Sequence, residues 1–165
     1  MKKKASFQDI FFLAIIGLMA AMMFVVGYMM TSKVNDNFQA DDKIGTVGKA
    51  IIQDTTTNMV TWLDGIFLVV LIAGWLGAII LAFQIPSHPI FFFISIVIYV
   101  VMVLIAAVLG NTYYTFTESA EITAYATAFT IIPAVMNNFV VIMLFMAFTI
   151  AMIMYTQTKQ QGAAF

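Results

Sequence analysis

The groups able to do chemistry are few and widely spaced. Asp64 stands directly before an uncharged run from Gly65 to Phe83, and His88 is the one imidazole. Glu118 and Glu121 lie three apart, Asp41 and Asp42 are adjacent, and so are Asn137 and Asn138. Cysteine is absent and all seven basic residues are lysine, which removes thiolate chemistry and the guanidinium fork. A carboxylate beside an apolar run can carry a proton, but a relay normally shows further acids or histidines along its path. None follows Asp64 before the chain turns. Its position beside Trp62, about one turn inside a helix start, predicts an interfacial carboxylate facing headgroups and the positive helix end. His88 has no cysteine or acid near it in sequence and cannot complete a zinc set of three or four ligands. It reads as an interfacial hydrogen-bonding residue between Pro86 and Pro89. Calcium takes 6–8 oxygens, and Asp41-Asp42 lacks the alternating ligand spacing of a calcium loop. Glu118 and Glu121 fit helix-start charges better than an acid–base pair. With no activated Ser or Cys and no Gly-rich phosphate loop, the expectation is a protein that is not an enzyme and holds no cofactor and no metal.

These residues must be positioned by very apolar elements. The chain of 165 residues is 63% hydrophobic and 9% charged, with a mean hydropathy of +1.02. Soluble domains carry about 25% charged residues, so the composition predicts an integral membrane protein. A bilayer core about 30 Å thick takes about 20 helical residues. Four segments meet that length, at about 10–30, 62–83, 90–110 and 133–155. The fold class expected is all-α: a four-helix membrane bundle in one domain over 1–165. Polar loops at 31–61 and 111–132 are each expected to hold a short amphipathic surface helix. The net charge of −1 argues against nucleic acid as a partner.

Lys2-Lys3-Lys4 before Ile10–Met30 looks like a secretory leader, but the apolar run is too long and no small-x-small site follows it. A retained signal-anchor helix is expected, with Ser6 and Asp9 as a capping box. In the loop 31–61, Ile44, Val47, Ile51 and Ile52 recur at helical spacing after a cap at Asp41 or Asp42. In the second loop, Gly110-Asn111 reads as a helix stop, and Ile122, Tyr125 and Phe129 share one face of a short helix over 117–130. Phe91–Phe93 at one end of the third segment, with Tyr113 and Tyr114 at the other, read as interfacial belts.

The second segment carries small residues at Ala73, Gly74, Gly77, Ala78 and Ala82, a spacing that lets two helices approach closely. The most economical partner is the third segment, joined by the short turn at 84–89; another chain is the alternative. Asn137 and Asn138 are expected to hydrogen-bond a neighbouring helix, with lining of a pore as the sharper alternative. Four crossings put both termini on one side. Lys2, Lys3, Lys4 and Lys159 on that side place it in the cytoplasm by the positive-inside rule.

The run His88-Pro-Ile-Phe-Phe-Phe93, the upstream Trp62-Leu-Asp64 with Ile66-Phe67, Asn111 followed by Tyr113, and Asn35-Asp-Asn-Phe-Gln39 form a pattern across roughly residues 35–150. It resembles small multi-span proteins of viruses that carry a lipid membrane beneath or around the capsid, particularly tailless phages. That resemblance implies a structural virion membrane component that supports curvature or anchors coat proteins. Its implied partners are membrane lipids, other membrane or coat proteins, and copies of itself. Two other classes compete: a small accessory subunit of a cellular membrane complex, and a holin or pore-forming oligomer. Against the pore stands a tail with one lysine and no polar-faced segment. A transporter is the least favoured, because the apolar segments offer few charges for a substrate.

Overall fold

The computed structural model describes residues 7–84 and 89–162, with side chains placed over 14–80, 82–83 and 96–156. Every regular element among them is a helix: α1 (Phe7–Ala40), α2 (Thr46–Gln84), α3 (Pro89–Thr117), α4 (Thr123–Ala126), α5 (Ile131–Asn137) and α6 (Phe139–Gly162). Four of these, α1, α2, α3 and α6, contain stretches long and apolar enough to cross a membrane. Lys2–Lys4, Ser6, Pro86 and His88 lie outside the described residues, as do the side chains of Asp9, Phe91–Phe93 and Lys159.

Among the described residues the long helices touch mainly in the cyclic order α1–α2–α6–α3, so α2 and α3, which follow each other in the chain, lie diagonally across the bundle. The expected α2–α3 pairing is not the main contact of α2 among these residues; α1 and α6 are. Small side chains explain where helices come close instead. On α1, Ala14, Leu18, Ala21 and Val25 recur every three or four residues and are buried, and Ala106 on α3 is buried in the same core. Around them pack Phe67 of α2, Met102 of α3, and Met143 and Met146 of α6. A second, smaller core toward the other end joins Ala82, Tyr99, Ile150 and Met154, with Ala78, Ala147 and Ala151 against it.

The polar segment 31–61 is not a loop with one surface helix. α1 continues through it to Ala40, α2 begins at Thr46, and only a tight turn separates them. Asp41 does not cap α2; its Oδ1 accepts the Lys43 N–H at 2.8 Å and closes the turn. At 34 and 39 residues, α1 and α2 are about 51 and 58 Å long. The hairpin therefore runs well past the apolar stretch. The charges that made 31–61 read as a loop lie on the exposed faces of these extensions: Lys33, Asp36 and Asp54 are all exposed.

What holds the extension together is a clasp of three amide side chains and one lysine. The amide of Asn35 donates to Gln53 Oε1 at 2.9 Å, and Gln39 donates to Asn35 Oδ1 at 3.2 Å. Gln39 Nε2 also donates to the Lys49 carbonyl at 2.9 Å, while Lys49 Nζ donates back to the Gln39 carbonyl at 2.7 Å. Asn35 is buried, so these bonds are shielded from water. Replacing Asn35 with Leu removes two of them and costs about 1–2 kcal/mol locally. Amide hydrogen exchange over 33–40 and 47–53 should then quicken about tenfold, with the apolar stretches unaffected. Unchanged exchange in the hairpin would show that the clasp is ornamental.

In the segment 111–132 the expected helix is likewise redrawn. Gly110-Asn111 does not stop α3, which continues to Thr117. Gly110 is a packing residue: a Cβ there would lie 3.3 Å from the Met136 carbonyl oxygen and 3.7 Å from Phe139 Cβ. Gly110→Val should cost about 1–3 kcal/mol by overpacking, read as a lowered melting point in detergent. A wild-type melting point for that variant would mean that α3 does not approach the α5–α6 junction this closely. Beyond α3 only one helical turn forms, α4, and its anchors are the residues of the expected apolar face. Phe129 is buried, and Tyr28 of α1 meets Tyr125 and Phe129 edge-on, with ring centres 6.3 and 5.6 Å away. The fourth apolar segment is broken at Asn138 into α5 and α6.

Candidate functional site

The place where polar chemistry concentrates inside the protein is the N-terminus of α5. Helices begin with N–H groups that have no partner within the helix, and a Thr at the N-cap commonly supplies one. Thr130 occupies that position and makes no side-chain cap bond. Asp64, 5% exposed, reaches across from α2 instead. Its Oδ2 accepts the N–H groups of Thr130 and Ile131 at 2.8 and 3.0 Å, and its Oδ1 accepts that of Ile132 at 2.9 Å. The carboxylate thus meets three donors and the positive end of the helix at once.

This placement differs from the interfacial one expected. Asp64 is far inside α2, which begins at Thr46, and it is buried against another helix rather than turned to headgroups. Sequence alone could not find it, because the group it caps lies 66 to 68 residues away in the chain. Trp62, nearby on the same helix, is exposed as expected.

Tyr113 is also displaced from its expected interfacial position: it is 1% exposed, in the main core with Ile132 and Met136. Its hydroxyl has no hydrogen-bond partner among the described residues. An unmet buried hydroxyl costs about 1–3 kcal/mol. Tyr113→Phe should therefore raise stability by about 1 kcal/mol in a denaturant titration. A loss of stability would instead reveal a water or lipid oxygen bonded to this hydroxyl. Tyr114, the next residue, is exposed.

The chemistry open to this arrangement is electrostatic and positional. Both Asp64 oxygens are engaged in holding α5. No group of three or more His, Cys, Asp or Glu residues comes together among the described residues. Glu118 and Glu121 are exposed beyond α3.

The residues expected to pack helices divide into two sets. Ala78 and Ala82 pack in the smaller core, whereas Ala73 faces outward and a Cβ on Gly77 would meet nothing within 4 Å. Gly74 is half-buried. Asn138 does not reach another helix; its Nδ2 donates to the Ala134 carbonyl of its own helix at 2.8 Å. Asn137 is exposed in a cleft beside α3. A cross-helix bond at another position, Trp75 Nε1 on α2 donating to Thr149 Oγ1 on α6 at 3.2 Å, lies outside the expected set.

The clasp of Asn35, Gln39, Lys49 and Gln53 is likewise outside the expected set. Its signal was present as two hydrogen-bonding pairs, each four apart, on either side of a turn. Comparison with protein-family models, with curated proteins and with solved structures finds no match to this chain.

Proposed function

We propose that this chain is a structural integral membrane protein without catalytic activity, a four-helix bundle crossing the bilayer with both termini on the cytoplasmic side. One observation carries the reading. Only 11 to 28% of the most apolar window of each long helix is buried, yet the outward residues are Ile16, Met23, Val69, Leu76, Val97, Leu104, Val141 and Phe148. A soluble monomer rarely exposes a contiguous apolar patch of more than a few hundred Å²; lipid tails solvate such a surface at no cost. The buried carboxylate suits a structural role, since it accepts three backbone N–H groups at the start of α5. The apolar core supports a packed scaffold over a conduit through one chain.

The virion-membrane role rests on the sequence resemblance, and the protruding hairpin suits it. From Thr46 to Asp64, α2 carries the rod about 28 Å beyond the uncharged stretch. A clasped rod of this length can present a fixed surface to coat proteins outside the bilayer. A second reading, an accessory subunit of a larger membrane complex, is favoured by Ala73 and the open space at Gly77 on the outward face of α2. Co-purification separates the two. Peptides of this chain in purified virions at coat-like abundance support the first; recovery at one copy per cellular complex, with none in particles, replaces it with the second.

A further inference from the structure

The break between α5 and α6 opens a cleft against α3. It has a volume of about 390 Å³ and is lined by Asn111 and Tyr114 of α3, Asn137 at the end of α5, and Met136, Phe139 and Val140. That size falls in the range of about 300–1,000 Å³ typical of ligand clefts. Three features of its wall restrict the occupant. The polar groups are two amides and a phenol, with no charged residue among those lining the cleft. The amides of Asn111 and Asn137 make no hydrogen bond among the described residues, whereas the neighbouring Asn138 is bound to Ala134. Below the polar mouth, the faces of α3 and α6 continue as exposed apolar side chains: Val100 and Leu104 on one, Leu144 and Phe148 on the other.

Uncharged donors above an apolar track match an amphiphile whose polar part is neutral and accepts hydrogen bonds. Inorganic phosphate or a free carboxylate finds no cation here. We propose that the cleft seats the glycerol–ester region of one membrane diacyl lipid: Asn111 and Asn137 donate to ester carbonyls, and an acyl chain lies along α3 and α6. The geometry also gives the helix break a use, because interrupted backbone at membrane depth is tolerated where it is buried or lines a cavity. The proposal rests on the membrane reading given above.

The test uses the full chain reconstituted in phosphatidylcholine vesicles containing a small fraction of phosphatidylcholine with a diazirine beside one ester. After irradiation, labelled residues are located by peptide mass spectrometry. Labelling of 107–114 and 136–140 should exceed that of 66–80 on α2 about tenfold, the ratio given by about 1.4 kcal/mol of preference. The double variant Asn111→Ala/Asn137→Ala and the filling variant Ala107→Phe should each abolish that excess and leave α2 labelling unchanged. Equal labelling of the cleft and α2, or an excess that survives both variants, overturns the lipid site while the membrane reading stands. Absence of label from α2 as well removes the membrane reading, and the lipid site with it.

Discussion

Asp64→Ala should destabilise the protein by about 3–5 kcal/mol, the usual cost of removing one side of a buried charged interaction. The side chain accepts three backbone N–H groups, and hydrogen bonds to a charged group are worth about 1.5–3 kcal/mol each before relaxation. After truncation the donors at Thr130, Ile131 and Ile132 face a void, and Ile132 is wholly buried, so water cannot take over there. Asp64→Asn keeps one acceptor oxygen and introduces an NH₂ opposite N–H donors; it should fall between wild type and alanine, at about 2 kcal/mol. The measurement is reversible unfolding of the purified protein in mixed detergent micelles. An alanine variant within about 0.5 kcal/mol of wild type, the spread of ordinary surface changes, would mean that the cap does no structural work.

The second large effect separates lipid from water at two exposed positions. Leu76 is 51% exposed and sits near the middle of the uncharged stretch from Gly65 to Phe83; Val47 is 72% exposed near the tip of the hairpin. Leu76→Lys should cost about 3 kcal/mol of membrane insertion, more than a hundredfold in the equilibrium. Val47→Lys should cost less than about 0.5 kcal/mol, like other exposed substitutions. The fraction of chain retained in membranes after alkaline washing reads both. If lysine is tolerated equally at the two sites, the apolar exterior of α2 does not face lipid, and the membrane reading fails.

How far the sequence shows the fold depends on the range of the interaction that decides each feature. The four apolar stretches were legible because a long uncharged run in a chain this greasy has one helical solution. Helix ends were not. A solvated helix face and a loop carry the same charges, so Lys33, Asp36 and Asp54 disguised the extensions of α1 and α2. Gly110 illustrates a related ambiguity: glycine ends helices and also lets them touch, and only the nearby Met136 carbonyl shows which applies. Asn138 was expected to bridge helices, but it reaches its own Ala134 carbonyl because the break in the helix presents that group locally. Asp64 stands out in the sequence beside an apolar run, yet its partner is a backbone terminus brought near by folding. No residue type marks that in a sequence.

The diagonal placement of α2 and α3 has a consequence for assembly. Each of the two helix pairs, α1 with α2 and α3 with α6, is made from neighbouring stretches of chain, and the pairs meet side against side. The bundle is therefore built from two self-paired halves, one ending with α2 and one beginning with α3. Contacts within each half close shorter loops than contacts between halves, so the larger entropic cost of closure falls on bringing the two halves together.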